Sequence, residues 1–238
     1  MFGQNPIRSI QTDPYLIALE EVFYTLQGEG PYSGQPALFV RFSGCNLVCH
    51  YCDTQFEMQA DSPIPAVEVI DRILDFPLAQ RKFVVLTGGE PLRQNPGLLI
   101  AALLDAGTEL VQVETAGTLW QESIEPFIAD GRVVLVCSPK TPKINPNIAR
   151  LCDHYKYIIR SGEVNLTDGL PNRGTQMGNQ GKTVDLYRAT KAKVTIWLSP
   201  CDDYDTYKNQ TNQNLARDLC LTHGYRLSLQ IHKIVSVA

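Results

Sequence analysis

Short apolar segments alternate with amphipathic ones along most of this 238-residue chain, and this alternation restricts the fold more than any other feature. Residues 66–78 space their apolar side chains three and four apart, as an amphipathic helix does, and an apolar, β-branched run follows at 83–86. Further helix-like segments lie at 96–107 and 121–131, and further apolar strands at 110–118, 133–140, 155–160 and 193–200. Buried strands alternating with helices predict a parallel sheet covered by helices, in an α/β fold.

Polar or glycine-containing segments follow the predicted strands directly. They read TGGEP, ETAGT, CSPK and SPCDD. The carboxyl ends of parallel strands meet at one edge, where α/β proteins bind ligands. The chain length suits one α/β domain, and we expect ligands to bind at that edge.

The composition excludes several classes of protein. A net charge of −4 with 19% charged residues gives no electrostatic basis for binding nucleic acid. No apolar run approaches the length of a membrane helix, and the first fifteen residues lack the apolar core of a signal peptide. We therefore expect a cytoplasmic protein that does not bind membranes.

Three of the seven cysteines, Cys45, Cys49 and Cys52, stand close together in the spacing C-x3-C-x2-C. The other four lie in or beside apolar runs and are expected to be small buried residues; they are Cys137, Cys152, Cys201 and Cys220. Three thiolates on one loop suit a [4Fe-4S] cluster with one iron open to an outside ligand. The alternative is a zinc site completed by a distant ligand, since structural zinc takes four protein ligands.

A Gly-Gly-Glu turn follows the first predicted strand of the alternating series. Its glycines permit close approach of a ligand, and Glu90 could accept hydrogen bonds from an ammonium group. Together with the cysteine loop, in which Tyr51 precedes the last cysteine, this turn resembles the radical S-adenosylmethionine (SAM) superfamily. That resemblance implies a [4Fe-4S] cluster and SAM as cofactors, and an incomplete (β/α)6 barrel as the fold.

A more specific resemblance within this superfamily comes from the segment that leads into the cysteine loop and includes it, FYTLQGEGPYSGQPALFVRFSGCNLVCHYCDT. Gln27 and Glu29 could contact a polar heterocycle, although QGEG is also typical of a β-turn. Arg41 is either a surface charge or a bidentate partner of a carboxylate. The joint pattern closely resembles the 7-carboxy-7-deazaguanine synthase family, and the resemblance continues through ETAGT, CSPK and RLSLQIHK. It implies ring contraction of 6-carboxy-5,6,7,8-tetrahydropterin with loss of ammonia, in queuosine and deazapurine biosynthesis.

The resemblance also implies roles for individual residues, none of them catalytic beyond the cluster and SAM. Thr54 would bind Mg2+. Substrate contacts are implied for Leu26, Gln27, Gly28, Glu29, Arg41, Thr115, His232 and the C-terminal carboxylate of Ala238. SAM contacts are implied for Tyr51, Cys52, Asp53, Gly89, Glu90, Gly117, Ser138, Pro139, Lys140, Ser199, Pro200, Cys201 and Asp202. Ala116, Ser199 and Cys201 depart from the residues frequent in the family.

The remaining expectations concern organisation and partners. We expect one radical SAM domain over residues 1–238, with an N-terminal extension at 1–15, a loop insertion at 161–193, a last helix at 209–224 and a final strand at 225–238. The resemblance implies a homodimer and a flavodoxin or ferredoxin as electron donor. Two alternatives remain, a glycyl-radical-enzyme activase and a non-catalytic zinc-binding module.

Overall fold

The computed structural model describes residues 6–50, 52, 54–176 and 185–237. Its strands are β1 (Leu16–Ile17), β2 (Leu19–Leu26), β3 (Pro36–Phe42), β4 (Ile64–Pro65), β5 (Phe83–Gly88), β6 (Leu110–Thr115), β7 (Val133–Cys137), β8 (His154–Ile159), β9 (Thr195–Pro200) and β10 (Arg226–Leu227). Its helices are α1 (Ala66–Leu74), α2 (Gly97–Asp105), α3 (Glu125–Ala129), α4 (Pro146–Leu151), α5 (Thr206–His223) and α6 (Ile231–Ile234).

Eight of the strands form one sheet in the order β10-β9-β8-β7-β6-β5-β3-β2. Within this sheet β3 and β5 to β10 pair in parallel, and β2 pairs antiparallel with β3 at one edge; β1 and β4 form a separate antiparallel pair. The two outer strands, β2 and β10, do not pair with each other among the described residues, so the sheet is open. The six long parallel strands match the expected incomplete barrel.

The two faces of the sheet have different neighbours because successive side chains of a strand point to opposite faces. Val40, Leu86 and Val113 belong to one large buried cluster with residues of the helices. The other face carries Arg41, Thr87, Glu114, Val136, Lys156 and Ser199, which line a cavity. The helices thus cover one face of the sheet and leave the other to the site.

The last long helix agrees with its predicted position. The Asp205 side chain accepts a hydrogen bond from the Lys208 backbone N at 2.9 Å, which caps the start of α5. Gly224 ends the helix with a φ of 73°, a conformation that favours glycine. Helix α4 was not predicted, although Asn145 caps it and Pro146 occupies its first position, both of which are helix-start signals.

Two of the predicted secondary-structure elements are shorter in the structure than the sequence predicted. Residues 121–131 form a short 3-10 turn and the five-residue α3 in place of one helix. The predicted final strand at 225–238 is limited to the two residues of β10. After the Ser228 backbone N has bonded to Leu198 O, the chain leaves the sheet, and the Ile231 N donates to Gly28 O. Residues 231–234 begin at this contact and form α6, which lies across the mouth of the site.

Both segments predicted as additions pack on the rest of the protein in their described parts. The Arg8 backbone N donates to Cys45 O at 2.7 Å, and Gln11 N donates to Arg93 O at 2.7 Å. In the segment at 161–193, Leu170 and Leu186 are buried in the main core. This segment is therefore more than a surface loop. Within the part of the chain that the structure describes, no helix combines the length and apolar character that a membrane crossing requires.

Candidate active site

A cavity of about 350 Å3 lies at the carboxyl edge of the parallel strands. This is the edge at which the sequence predicted a site, and the volume suits a small-molecule ligand. The cavity brings together these predicted residues: Leu26, Gln27, Gly28, Glu29, Arg41, Cys45, Cys49, Cys52, Thr54, Gly89, Thr115, Ser138, Lys140, Ser199, Pro200, Cys201, Asp202 and His232. Residues up to about two hundred positions apart in the sequence therefore line the same cavity.

The cysteine loop follows β3 and forms one wall of the cavity. Cys45, Cys49 and Cys52 all carry free thiols and all line the cavity. The Cys52 backbone N donates to Cys49 O at 3.2 Å, which gives the loop a tight turn between these two cysteines. Burial raises the pKa of Cys45 to about 12, with a further contribution from the nearby Glu90. A bound metal would offset that cost, because a coordinating thiol loses its proton.

The donor set fits a [4Fe-4S] cluster. Among the described residues, no three His, Cys, Asp or Glu side chains converge on a single metal ion. A four-iron cluster does not need that convergence, since each thiolate binds a different iron. Three soft sulfur ligands on one loop therefore suit such a cluster with one iron left for an outside ligand.

The Gly-Gly turn after β5 lies directly against the cysteine loop. A Cβ at Gly88 would come within 2.1 Å of the Phe42 carbonyl oxygen, and one at Gly89 within 2.2 Å of the Gly44 carbonyl oxygen. Only residues without a side chain allow this approach. The glycines of this turn therefore hold the cluster loop at the edge of the sheet.

Glu90 itself lies beneath the cavity and is fully buried. Its carboxylate accepts hydrogen bonds from Thr115 Oγ1 at 2.7 Å, Leu92 N at 3.0 Å and Ala116 N at 2.8 Å. Burial raises the pKa of Glu90, and the hydrogen bonds from Ala116 and Thr115 act in the opposite direction. Three of its roughly four acceptor positions are thus used inside the protein. Its contact with an ammonium group stays a prediction.

The opposite side of the cavity carries a buried ion pair that joins the QGEG segment to β8. Lys156 Nζ donates to Glu29 Oε2, and only 10% and 13% of the two side chains are exposed. Burial would raise the pKa of Glu29, but the charge and hydrogen bond of Lys156, together with smaller contributions from His232 and Gln230, lower it. Gln27 Nε2 donates to Glu114 Oε1 at 2.9 Å, and the Glu29 backbone N donates to Gln27 Oε1 at 3.0 Å. The QGEG segment is therefore held rigidly.

Arg41 and His232 stand at the outer part of this side. Arg41 Nε donates to Glu21 Oε1 at 2.7 Å, and the Arg41 guanidinium lies 5.4 Å from the centre of the Phe23 ring. The His232 ring lies against Gly28, where a Cβ would come within 1.9 Å of His232 Nδ1. Glycine at this position is required for α6 to close over the cavity.

The predicted SAM residues are divided between the cavity and its surroundings. Lys140 Nζ donates to Ser138 Oγ at 2.5 Å, and burial lowers the pKa of Lys140. Ser199 Oγ is buried without a hydrogen-bond partner among the described residues, so it suits a ligand that supplies one. Glu90, Gly117 and Pro139 do not line the cavity. Tyr51, Asp53 and Ala238 lie outside the described residues.

Sequence reasoning missed several polar residues at the site. Lys156 and Glu114 line the cavity, and Thr175 and Gln176 contact Cys49. A charged residue within a predicted apolar strand was the available signal for the first two. The last two lie in the segment to which the sequence assigned no chemistry, and no pattern in that segment indicates them.

Comparison with known proteins agrees with this geometry. Residues 39–166 match the family model of the radical SAM superfamily. The chain is 44% identical to a 7-carboxy-7-deazaguanine synthase of Rhodospirillum rubrum over the full length of both chains. It is 34% identical to one of Rickettsia prowazekii, covering 100% of this chain and 96% of the relative. The crystal structure of QueE from Escherichia coli superposes with a TM-score of 0.60 at 23% identity, covering 90% of this chain and 93% of the other.

These matches confirm the fold and the cofactor class that the sequence predicted, and they favour neither the activase nor the zinc-module alternative. The chain is a radical SAM enzyme with a [4Fe-4S] cluster and SAM as its cofactors. It belongs to the radical SAM superfamily and, within it, to the family of 7-carboxy-7-deazaguanine synthases.

Proposed function

We propose that this enzyme is a 7-carboxy-7-deazaguanine synthase, which converts 6-carboxy-5,6,7,8-tetrahydropterin to 7-carboxy-7-deazaguanine with loss of ammonia. One observation carries the proposal beyond family membership. The cavity that holds the three cysteines also holds Gln27, Glu29 and Arg41, which are suited to a polar heterocycle with a carboxylate. The product would enter queuosine or another deazapurine pathway.

Cys45, Cys49 and Cys52 are the proposed cluster ligands. The cluster that these residues would hold would supply the electron for reductive cleavage of SAM, the source of the radical that would remove a hydrogen atom from C6 of the pterin. On the chain's side, Gly89, Ser138, Lys140 and residues 199–202 are placed to contact SAM at the strand ends. The Ser199 hydroxyl, which has no hydrogen-bond partner among the described residues, suits a hydroxyl group of SAM. The cation of Lys140 suits the carboxylate of SAM.

The pterin would lie on the side formed by the QGEG segment. The Glu29 carboxylate, kept ionised by Lys156, is a strong acceptor for ring N–H groups. Arg41 offers a planar fork to the substrate carboxylate, and its partner Glu21 is half exposed. His232 covers the ring from α6. These contacts orient the substrate and exclude water.

Thr54 is the proposed Mg2+ ligand, since its side chain faces the same cavity. Magnesium keeps several waters and takes ligand oxygens for the rest, so one hydroxyl from the protein is sufficient. The substrate carboxylate would supply another oxygen. Removal of Mg2+ would then weaken substrate binding and leave the cluster intact.

The proposed setting follows from the chemistry of the site. All seven cysteines are free, as a reducing cytoplasm favours, and the cluster needs a low-potential donor such as a flavodoxin or ferredoxin. We also propose a homodimer of one-domain chains, with residues 1–15 and 161–193 as additions to the radical SAM domain. Size measurement under anaerobic conditions tests the dimer.

The proposal is tested by anaerobic reconstitution with iron and sulfide, followed by SAM, dithionite, Mg2+ and the pterin, with products read by mass spectrometry. We expect 7-carboxy-7-deazaguanine from the wild type and none from Cys49→Ala. Cys220→Ala is the matched control, because Cys220 is buried in the core away from the cavity. An iron-loaded wild type that cleaves SAM but leaves the pterin unchanged would refute the proposed substrate.

A further inference from the structure

The segment at 161–193 carries two polar side chains to the cluster loop. Thr175 Oγ1 lies 3.0 Å from Cys49 Sγ, and Gln176 Nε2 lies 3.5 Å from the same sulfur. The Gln176 side chain also bonds to the loop itself, because its Oε1 accepts from the Val48 backbone N at 3.1 Å. A segment more than 120 positions further along the chain thus contacts one cluster ligand.

The hydrogen bonds fix the direction of the Thr175 hydroxyl. Gln176 Oε1 accepts from a backbone N–H, so the other end of that amide is the NH2 group. This NH2 donates to Thr175 Oγ1 at 2.8 Å. The single hydroxyl hydrogen of Thr175 therefore points to Cys49 Sγ. Gln176, Thr175 and Cys49 form a chain of donors that ends on the sulfur, and such chains strengthen each bond.

The donors are held in place before any cofactor binds. Thr175 is only 3% exposed, and its backbone N donates to Lys140 O at 3.1 Å. His50 Nδ1 lies 3.2 Å from the Thr175 carbonyl oxygen. Earlier in the same segment, Leu170 is buried in the main core and anchors it. The Thr175 donor is therefore itself shielded from solvent.

We propose that Thr175, supported by Gln176, is a positioning residue that donates to the cluster-bound thiolate of Cys49 and raises the reduction potential of the cluster. A hydrogen bond withdraws electron density from a thiolate and stabilises the more negative, reduced cluster; donors to cluster sulfurs are an established means of setting the potential. The inference rests on Cys49 being a cluster ligand, as in the proposed function. It assigns a redox role to a segment for which the sequence gives none.

The test is a redox titration of the reconstituted protein, without SAM or pterin, followed by electron paramagnetic resonance. Thr175→Val keeps the shape and removes the donor. At the wild-type midpoint we expect its ratio of reduced to oxidised cluster to fall about tenfold, a shift of about 59 mV to more negative potential for one electron. Thr175→Ser keeps the hydroxyl and should retain the wild-type potential. Thr167→Val, the same replacement at an exposed position of the same segment, should also retain it.

Iron content per chain accompanies every titration. A fully loaded Thr175→Val protein with the wild-type potential would overturn the inference. If Thr175→Val does not hold its cluster, Gln176→Met decides the matter: a smaller shift in the same direction supports the donor chain, and an unchanged potential overturns it. If the wild type binds the cluster and Thr175→Val shows the expected shift, but the wild type leaves the pterin unchanged, the proposed substrate is refuted and this inference stands. A wild type that binds no cluster through Cys49 would overturn both.

Discussion

Replacement of Lys156 by methionine removes the charge that faces Glu29 inside the cavity. Both side chains are almost fully buried, so solvent screens their attraction little. At a separation of about 4 Å and an effective dielectric constant of about 20, the attraction is about 4 kcal/mol. Loss of one partner from a buried pair costs about 3–5 kcal/mol, because the other charge remains uncompensated. We therefore expect Lys156→Met to lower the free energy of unfolding by about 3–5 kcal/mol at neutral pH.

The pH dependence of this loss follows from the pKa of Glu29. In the wild type this pKa lies below its ordinary value, so the pair contributes stability above the unfolded pKa of Glu and loses it as the pH falls through the folded pKa. In Lys156→Met, burial acts with less opposition and raises the pKa of Glu29. The folded variant then takes up a proton more readily than the unfolded chain and gains stability as the pH falls. The difference between the two proteins therefore shrinks on acidification.

Urea unfolding of the cluster-free protein, at about pH 8 and about pH 5 in reducing buffer, measures this difference. Lys191→Met is the matched control, because the Lys191–Asp153 pair is much more exposed and should contribute about 0–1 kcal/mol. The double variant Lys156→Met/Glu29→Gln should recover most of the loss, since no buried charge remains. A loss no larger than that of Lys191→Met, or a double variant no more stable than Lys156→Met, would refute the reasoning.

Three glycine substitutions test the contacts around the cavity and one helix end. Gly28→Ala would place a Cβ 1.9 Å from His232 Nδ1, so we expect α6 to be displaced and the KM for the pterin to rise with little change in thermal stability. An unchanged KM would contradict this role of His232. Gly88→Ala overlaps the Phe42 carbonyl oxygen at 2.1 Å at a φ of 134°, so we expect a loss of about 3 kcal/mol or more in urea unfolding, and wild-type stability would contradict it. Gly224→Ala meets nothing within 4 Å at a φ of 73°, so we expect a loss of about 1–2 kcal/mol with unchanged activity; a loss of activity would show that the end of α5 matters to the site.

Most of the sheet was predictable because its strands are buried and apolar. Runs such as residues 83–86 and 133–137 cannot be exposed, and the intervening helical periodicity requires parallel connections. The cysteine loop was recognisable because its three cysteines are neighbours in sequence, and their role as cluster ligands stays a prediction. The end of α5 was predictable because Gly224 is a local signal.

Other parts depend on contacts that are distant in sequence. The final residues alternate as a strand does, but the backbone of Ile231 bonds to Gly28 O, and no local pattern reveals that partner. The approach of Thr175 to Cys49 requires the packing of a whole irregular segment. Helix α4 had signals in Asn145 and Pro146, but six residues show too little periodicity to be recognised as a helix.

Two strands present a cation on the cavity side, Arg41 on β3 and Lys156 on β8, and the partner of each cation shows whether a ligand carboxylate can replace that partner. Lys156 lies between the buried Tyr155 and Tyr157, and its partner Glu29 is itself buried. If the Lys156 and Glu29 side chains were separated, both charges would therefore remain buried away from water. Arg41 is paired with Glu21, whose side chain is 51% exposed and whose release to solvent costs little. A ligand carboxylate can therefore displace Glu21 from Arg41, whereas it cannot displace Glu29 from Lys156. We therefore expect Arg41 to bind the ligand carboxylate and Lys156 to keep Glu29 charged and fixed.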